Sequence, residues 1–96
     1  MKIILNNFTY NTYISKGRYK NNRRALRLID NQNGELIAVA TVNLPNESLE
    51  PNEVFIKDYS ENKGMLDSLI KNKIISNPIE KIPTGFIKIY KCKILI

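Results

Sequence analysis

Lys16, Arg18 and Lys20, followed after Asn21-Asn22 by Arg23, Arg24 and Arg27, are the residues of this 96-residue chain whose types and spacing could do chemistry. That chemistry is the capture of negative charge: a phosphate backbone or an acidic protein surface, held by charge-assisted hydrogen bonds. If Asn21-Asn22 is a two-residue turn between strands, Lys20 lies opposite Arg23, Arg18 opposite Ala25 and Lys16 opposite Arg27, on one face. Like charges set directly opposite each other destabilise a sheet, so a fold alone does not favour the pattern. Lys16, Arg18, Lys20, Arg23, Arg24 and Arg27 are therefore the candidate partner-binding residues. The competing reading is a set of long side chains splayed into solvent.

Other chemistries are poorly supplied. The chain has no histidine, the commonest general base and metal ligand. Its one cysteine, Cys92, sits in an apolar strand pattern and reads as a small buried hydrophobe that neither forms an internal disulfide nor anchors a cysteine-rich metal site. Asp58 and Glu61 flank the start of a helix, where a capping role accounts for them. The four glycines, at 17, 34, 64 and 85, make no phosphate loop. Neither an enzyme nor a cofactor or metal is expected.

Charge is segregated along the chain, whose net value is +6. Residues 1 to 29 carry seven basic side chains and no acidic one, whereas residues 30 to 67 carry eight acidic side chains against Lys57 and Lys63. A molecule basic on one surface and acidic on another suits docking on a charged partner.

The elements that must position these groups read mostly as strands. Lys2 to Leu5 is a short one, Thr12 to Lys20 a second, Arg23 to Asp30 a third and Glu35 to Asn43 a fourth, with Asn33-Gly34 supplying the left-handed positions of the last turn. In Ala25 to Leu44 both faces are apolar, as in strands near the middle of a sheet. Leu44-Pro45 stops that run, an acidic connection follows, and Val54-Phe55-Ile56 is another strand. Met65, Leu66, Leu69 and Ile70 then form one helical stripe, with Ser60 as N-cap, Glu61 in the first turn and Gly64 at a close packing contact. Asn77-Pro78 and Pro83-Thr84-Gly85 precede a final strand, Phe86 to Ile96.

The fold expected is α+β: an antiparallel sheet of about five or six strands, a β-meander around residues 12–43, and one helix at about 61–71 packed on one face. Residues 1–96 form a single domain. No apolar run approaches the roughly 20 residues of a membrane span, and the opening Met1-Lys2-Ile3-Ile4-Leu5 is too short for a signal peptide, so a cytoplasmic location is expected.

Thr41-Val42-Asn43-Leu44-Pro45, Glu53-Val54-Phe55-Ile56-Lys57-Asp58-Tyr59-Ser60-Glu61-Asn62, Gly64-Met65-Leu66 and Pro83-Thr84-Gly85-Phe86 resemble blocks of a family of small, poorly characterised proteins carried on bacterial phages, plasmids and conjugative elements. The resemblance covers about residues 25–95 and leaves out much of the basic hairpin. It supplies no catalytic residues. It implies a setting in which inhibitors of host defence occur, notably anti-CRISPR proteins. The partner it implies is a bacterial Cas effector or its guide or target nucleic acid. A small nucleic-acid-binding protein of the element is the alternative, and a homo-oligomer through edge strands is left open.

Overall fold

The computed structural model describes residues 1–85 and 87–96, Thr84 by its backbone alone. Within them, the alternating first half of the chain folds as β1 (Lys2–Leu5), β2 (Phe8–Arg18), β3 (Arg24–Asp30) and β4 (Leu36–Val39), neighbours in sequence and in a four-stranded antiparallel sheet. A second four-stranded antiparallel sheet holds β5 (Thr41–Val42), β6 (Glu53–Lys57), β7 (Glu80–Thr84) and β8 (Ile87–Lys93) in the order β5-β6-β8-β7. One helix, α1 (Met65–Lys71), lies between β6 and β7 in the chain.

The class is α+β, as the sequence indicates, and the meander expected around residues 12–43 is present as far as Val39. Two sheets replace the single sheet of five or six strands, for two reasons. The apolar run from Leu36 to Leu44 reads as one strand but divides at Ala40, whose N–H donates to Leu26 in the first sheet while its carbonyl accepts from Lys57 in the second. One residue thus stitches both sheets. The other reason is β7, which Pro83 disguises as a turn; as an edge strand it tolerates a residue with no N–H to donate. Phe86, expected to open the last strand, lies outside the described residues.

Alternation decides the core. Ile3, Leu5, Leu26, Leu28 and Ala38 of the first sheet pack with Val54, Ile56 and Cys92 of the second and with Met65 and Leu69 of the helix. Phe55, between Val54 and Ile56, points the other way into a smaller cluster with Ile82 and Ile89, covered by Leu44, Leu49 and Tyr59. The acidic connection after β5 is therefore a lid over the second sheet. β4, by contrast, is an edge strand whose Leu36 and Val39 are exposed, so only part of the Ala25–Leu44 stretch is covered on both faces.

The helix begins later than expected, at Met65, after a 3-10 turn over Ser60–Asn62. Ser60 has φ 55° and caps nothing; Gly64, at φ 101°, is the N-cap residue. The capping side chain is Asp58, whose Oδ1 accepts from the N–H of Gly64 at 3.1 Å and of Leu66 at 3.2 Å. Gly64 does mark a close contact, since a Cβ there would sit 2.6 Å from the Ile4 carbonyl oxygen. One turn apart, Ser68 and Asn72 turn to the edge of β1. Ile4 N–H donates to Ser68 Oγ at 3.0 Å, and Asn72 Nδ2 donates to the Lys2 carbonyl at 2.9 Å. The helix closes that edge as a further strand would. Among the described residues no helix is long and apolar enough to cross a membrane.

Candidate functional site

The hairpin joining β2 to β3 carries all six candidate cations, and its register decides which of them meet. The loop has three residues, Lys20-Asn21-Asn22, where a two-residue turn was expected. Asn22 N–H donates to the Tyr19 carbonyl at 2.9 Å and Tyr19 N–H to the Arg23 carbonyl at 2.8 Å, with Asn22 in the left-handed region at φ 69°. This is a turn followed by a left-handed bulge residue, a common three-residue hairpin connection. Asn21 Oδ1 braces it by accepting from Arg23 N–H at 3.2 Å.

The extra loop residue shifts the pairing by one, and side chains consequently change faces. Arg18 lies opposite Arg24, Lys16 opposite Leu26, Gly17 opposite Ala25 and Ser15 opposite Arg27. Lys16, Arg18 and Arg24 thus share one side, at the tip end of the row that buries Leu26 and Leu28. Arg27 is on the other side, its guanidinium over Gly17. Lys20 is exposed at the loop apex. Arg23 is spoken for: Nη1 donates to the Leu44 carbonyl at 2.7 Å and Nη2 to the Glu47 carbonyl at 2.6 Å, fastening the lid to the hairpin. The single face of five opposed cations is therefore corrected to a smaller group of Lys16, Arg18 and Arg24. Parity carried the missed signal, because the observed register sets Ile14 beside Leu28 and Tyr13 beside Ile29, apolar with apolar.

None of the three grouped cations has an ion-pair partner; among the described residues the pairs are Lys57 with Glu61 and Lys91 with Glu80. Arg18 donates through Nη1 to the Asn22 carbonyl at 2.9 Å. Arg24 is half-buried, and its Nε is shut away from solvent with no acceptor. A concavity of about 270 Å³ is lined by Lys16, Gly17, Arg18 and Arg24. It adjoins one of about 290 Å³ where Arg18 and Arg24 face Glu50 of the lid and Glu53 at the start of β6. The Glu53 carboxylate is occupied there by the Glu50 N–H at 2.9 Å.

Elsewhere charges balance. A hollow of about 430 Å³ beside the helix start is lined by Asp58 and Asp67 together with Lys63 and Lys88, which gives it no preference for an anion. Nearby, the hydrogen bond from Lys57 holds the exposed Glu61 carboxyl down to about 2. The Cys92 thiol is pushed up to about 12 by burial, which leaves it protonated and without nucleophilic character. Among the described residues no group of three or more acidic, histidine or cysteine side chains gathers as a metal site.

Comparison of the chain with protein-family models, with curated proteins and with solved structures gives no match.

Proposed function

We propose that this protein works by binding, without catalysis, and that Lys16, Arg18 and Arg24 seat an acidic surface of its partner. In the mobile-element setting implied by the resemblance, that partner is a Cas effector of the bacterial host, inhibited in the cytoplasm by occupation of a functional surface. The observation that carries this reading is the unpaired opposition of Arg18 and Arg24 with Lys16 beside them. Three cations held together with no ion-pair partner, Glu50 and Glu53 facing Arg18 and Arg24 without bridging to them, are costly to the free protein and favourable once an acidic surface arrives.

The test is inhibition of a panel of purified Cas nucleases by the wild-type protein, by Lys16→Glu with Arg18→Glu, and by Arg27→Glu. Inhibition lost in the double reversal and kept in Arg27→Glu supports the proposal, because Arg27 is on the other side of the sheet. The same proteins are titrated with salt against a random DNA duplex and a single strand. Binding to bare nucleic acid that falls by about 0.9 log units per neutralised phosphate for each log unit of salt would favour a nucleic-acid-binding protein instead.

A further inference from the structure

Strand β2 outruns β1. The β1 side of the ladder ends where Thr12 N–H donates to the Met1 carbonyl at 2.8 Å and the Met1 amino group donates to the Thr12 carbonyl at 2.6 Å. On the β3 side, Tyr19 N–H donates to the Arg23 carbonyl and Asn31 N–H to the Asn11 carbonyl, so the odd-numbered residues of β2 turn their backbone groups toward β3. In an antiparallel ladder the even-numbered ones then face the opposite way. Ile14, Lys16 and Arg18 accordingly aim their N–H and C=O groups at an edge where, among the described residues, no backbone or side chain pairs with them. Ser68 and Asn72 cover the same edge at β1, and beyond β1 it is open along these three residues.

We propose that this stretch of β2 is a docking rail on which an extended acidic segment of a partner protein adds as a further strand. The docking rests on the cationic face proposed above and gives it a geometry. Main-chain hydrogen bonds to Ile14, Lys16 and Arg18 supply affinity, and alternate side chains supply selection. On one side of the added strand they meet Lys16 and Arg18, with Arg24 behind; on the other they meet Tyr13, 51% exposed, and the small Ser15 and Gly17. A segment alternating acidic and apolar residues fits both sides.

Charge decides between occupants. A second copy pairing antiparallel about Lys16 sets Lys16 against Lys16 and brings both Arg18 side chains to the same seam, where like charges oppose the contact. Lysines on edge strands commonly block such self-pairing. An acidic strand turns the same repulsion into attraction.

The probe is a synthetic octapeptide of alternating glutamate and valine, blocked at both ends, with two versions N-methylated at either the glutamates or the valines. Binding is followed by fluorescence anisotropy, and the amide protons of Ile14, Lys16 and Arg18 by hydrogen exchange. The parent peptide is expected to bind and to slow exchange at those three amides at least tenfold, and one N-methylated version is expected to lose at least tenfold in affinity. Lys16→Gln should weaken binding about threefold, through charge alone. Lys16→Pro should weaken it at least tenfold, because it also removes the outward N–H while sparing the bonds to β3.

Equal binding to Lys16→Pro and Lys16→Gln, with the three amides unprotected, would overturn strand addition while leaving the cationic face standing. Peptide binding indifferent to Lys16→Glu with Arg18→Glu would remove the face itself. Absence of binding, together with dimerisation of Lys16→Gln with Arg18→Gln, would mean that the cations only guard the edge, and would also overturn the proposal. If Lys16→Pro fails to fold, the exchange and N-methylation measurements still decide.

Discussion

Arg18 stands directly opposite Arg24 across the β2–β3 ladder, and among the described residues neither has an acidic partner. Two costs fall on Arg24: the cross-strand repulsion, and a buried Nε donor with no acceptor. Arg24→Leu removes both and keeps an apolar stem against the sheet. It is expected to stabilise the free protein by about 1 kcal/mol in urea unfolding while weakening partner binding. A lower urea midpoint would mean that packing of the arginine stem outweighs both costs.

The same pair shows where sequence reasoning stopped. Strand identity was legible because alternation survives small errors, and Lys2–Leu5 falls where the apolar pattern puts it. Register was not, because one loop residue decides it, and both two-residue and three-residue turns accept asparagine in the left-handed region. Nothing local in Arg23 distinguishes a guanidinium that fastens the lid from one that greets a partner; its acceptors, Leu44 and Glu47, arrive from more than twenty residues away. The division at Ala40 was hidden for a related reason, since an apolar run through two sheets looks like a longer run through one.

Asp58 does the work that Ser60 was expected to do. Its Oδ1 satisfies two N–H groups at the helix start, those of Gly64 and Leu66. Asp58→Ala should therefore cost about 1 kcal/mol, and Ser60→Ala no more than a few tenths. Urea melts of the two variants decide it. Equal losses would show that the Asp58 bonds are replaced by water when removed.

Gly64 and Gly34 both lie at positive φ, 101° and 73°, yet they should respond differently to alanine. At Gly34 nothing lies within 4 Å of the new Cβ, so only the left-handed conformation is penalised, by about 1 kcal/mol. At Gly64 the Cβ would sit 2.6 Å from the Ile4 carbonyl oxygen, which belongs to the backbone and is held by Ser68 Oγ at 3.1 Å. Gly64→Ala should cost about 3 kcal/mol or more, because β1 and the helix must separate. Hydrogen exchange at Ile4, whose N–H donates to Ser68, should accelerate in this variant and stay unchanged in Gly34→Ala.

Cys92 is 0% exposed between the two sheets, and burial alone pushes its thiol from about 9 to about 12. A raised acid pKa in the folded state means that burial stabilises the protein fully below the unfolded thiol value and that this contribution is lost as pH rises toward the folded one. Stability relative to Cys92→Ala should therefore be flat up to about pH 8.5 and then decline, reaching a loss of several kcal/mol near pH 12. Comparing the two proteins cancels every contribution other than that of the thiol. The thiol should also resist iodoacetamide at pH 8 until urea unfolds the chain, since only the thiolate reacts and it is reached only by opening. Rapid labelling of the folded protein would show that the seam between the sheets opens locally at Cys92, and the core around Val54 and Ile56 would then be looser than its burial indicates.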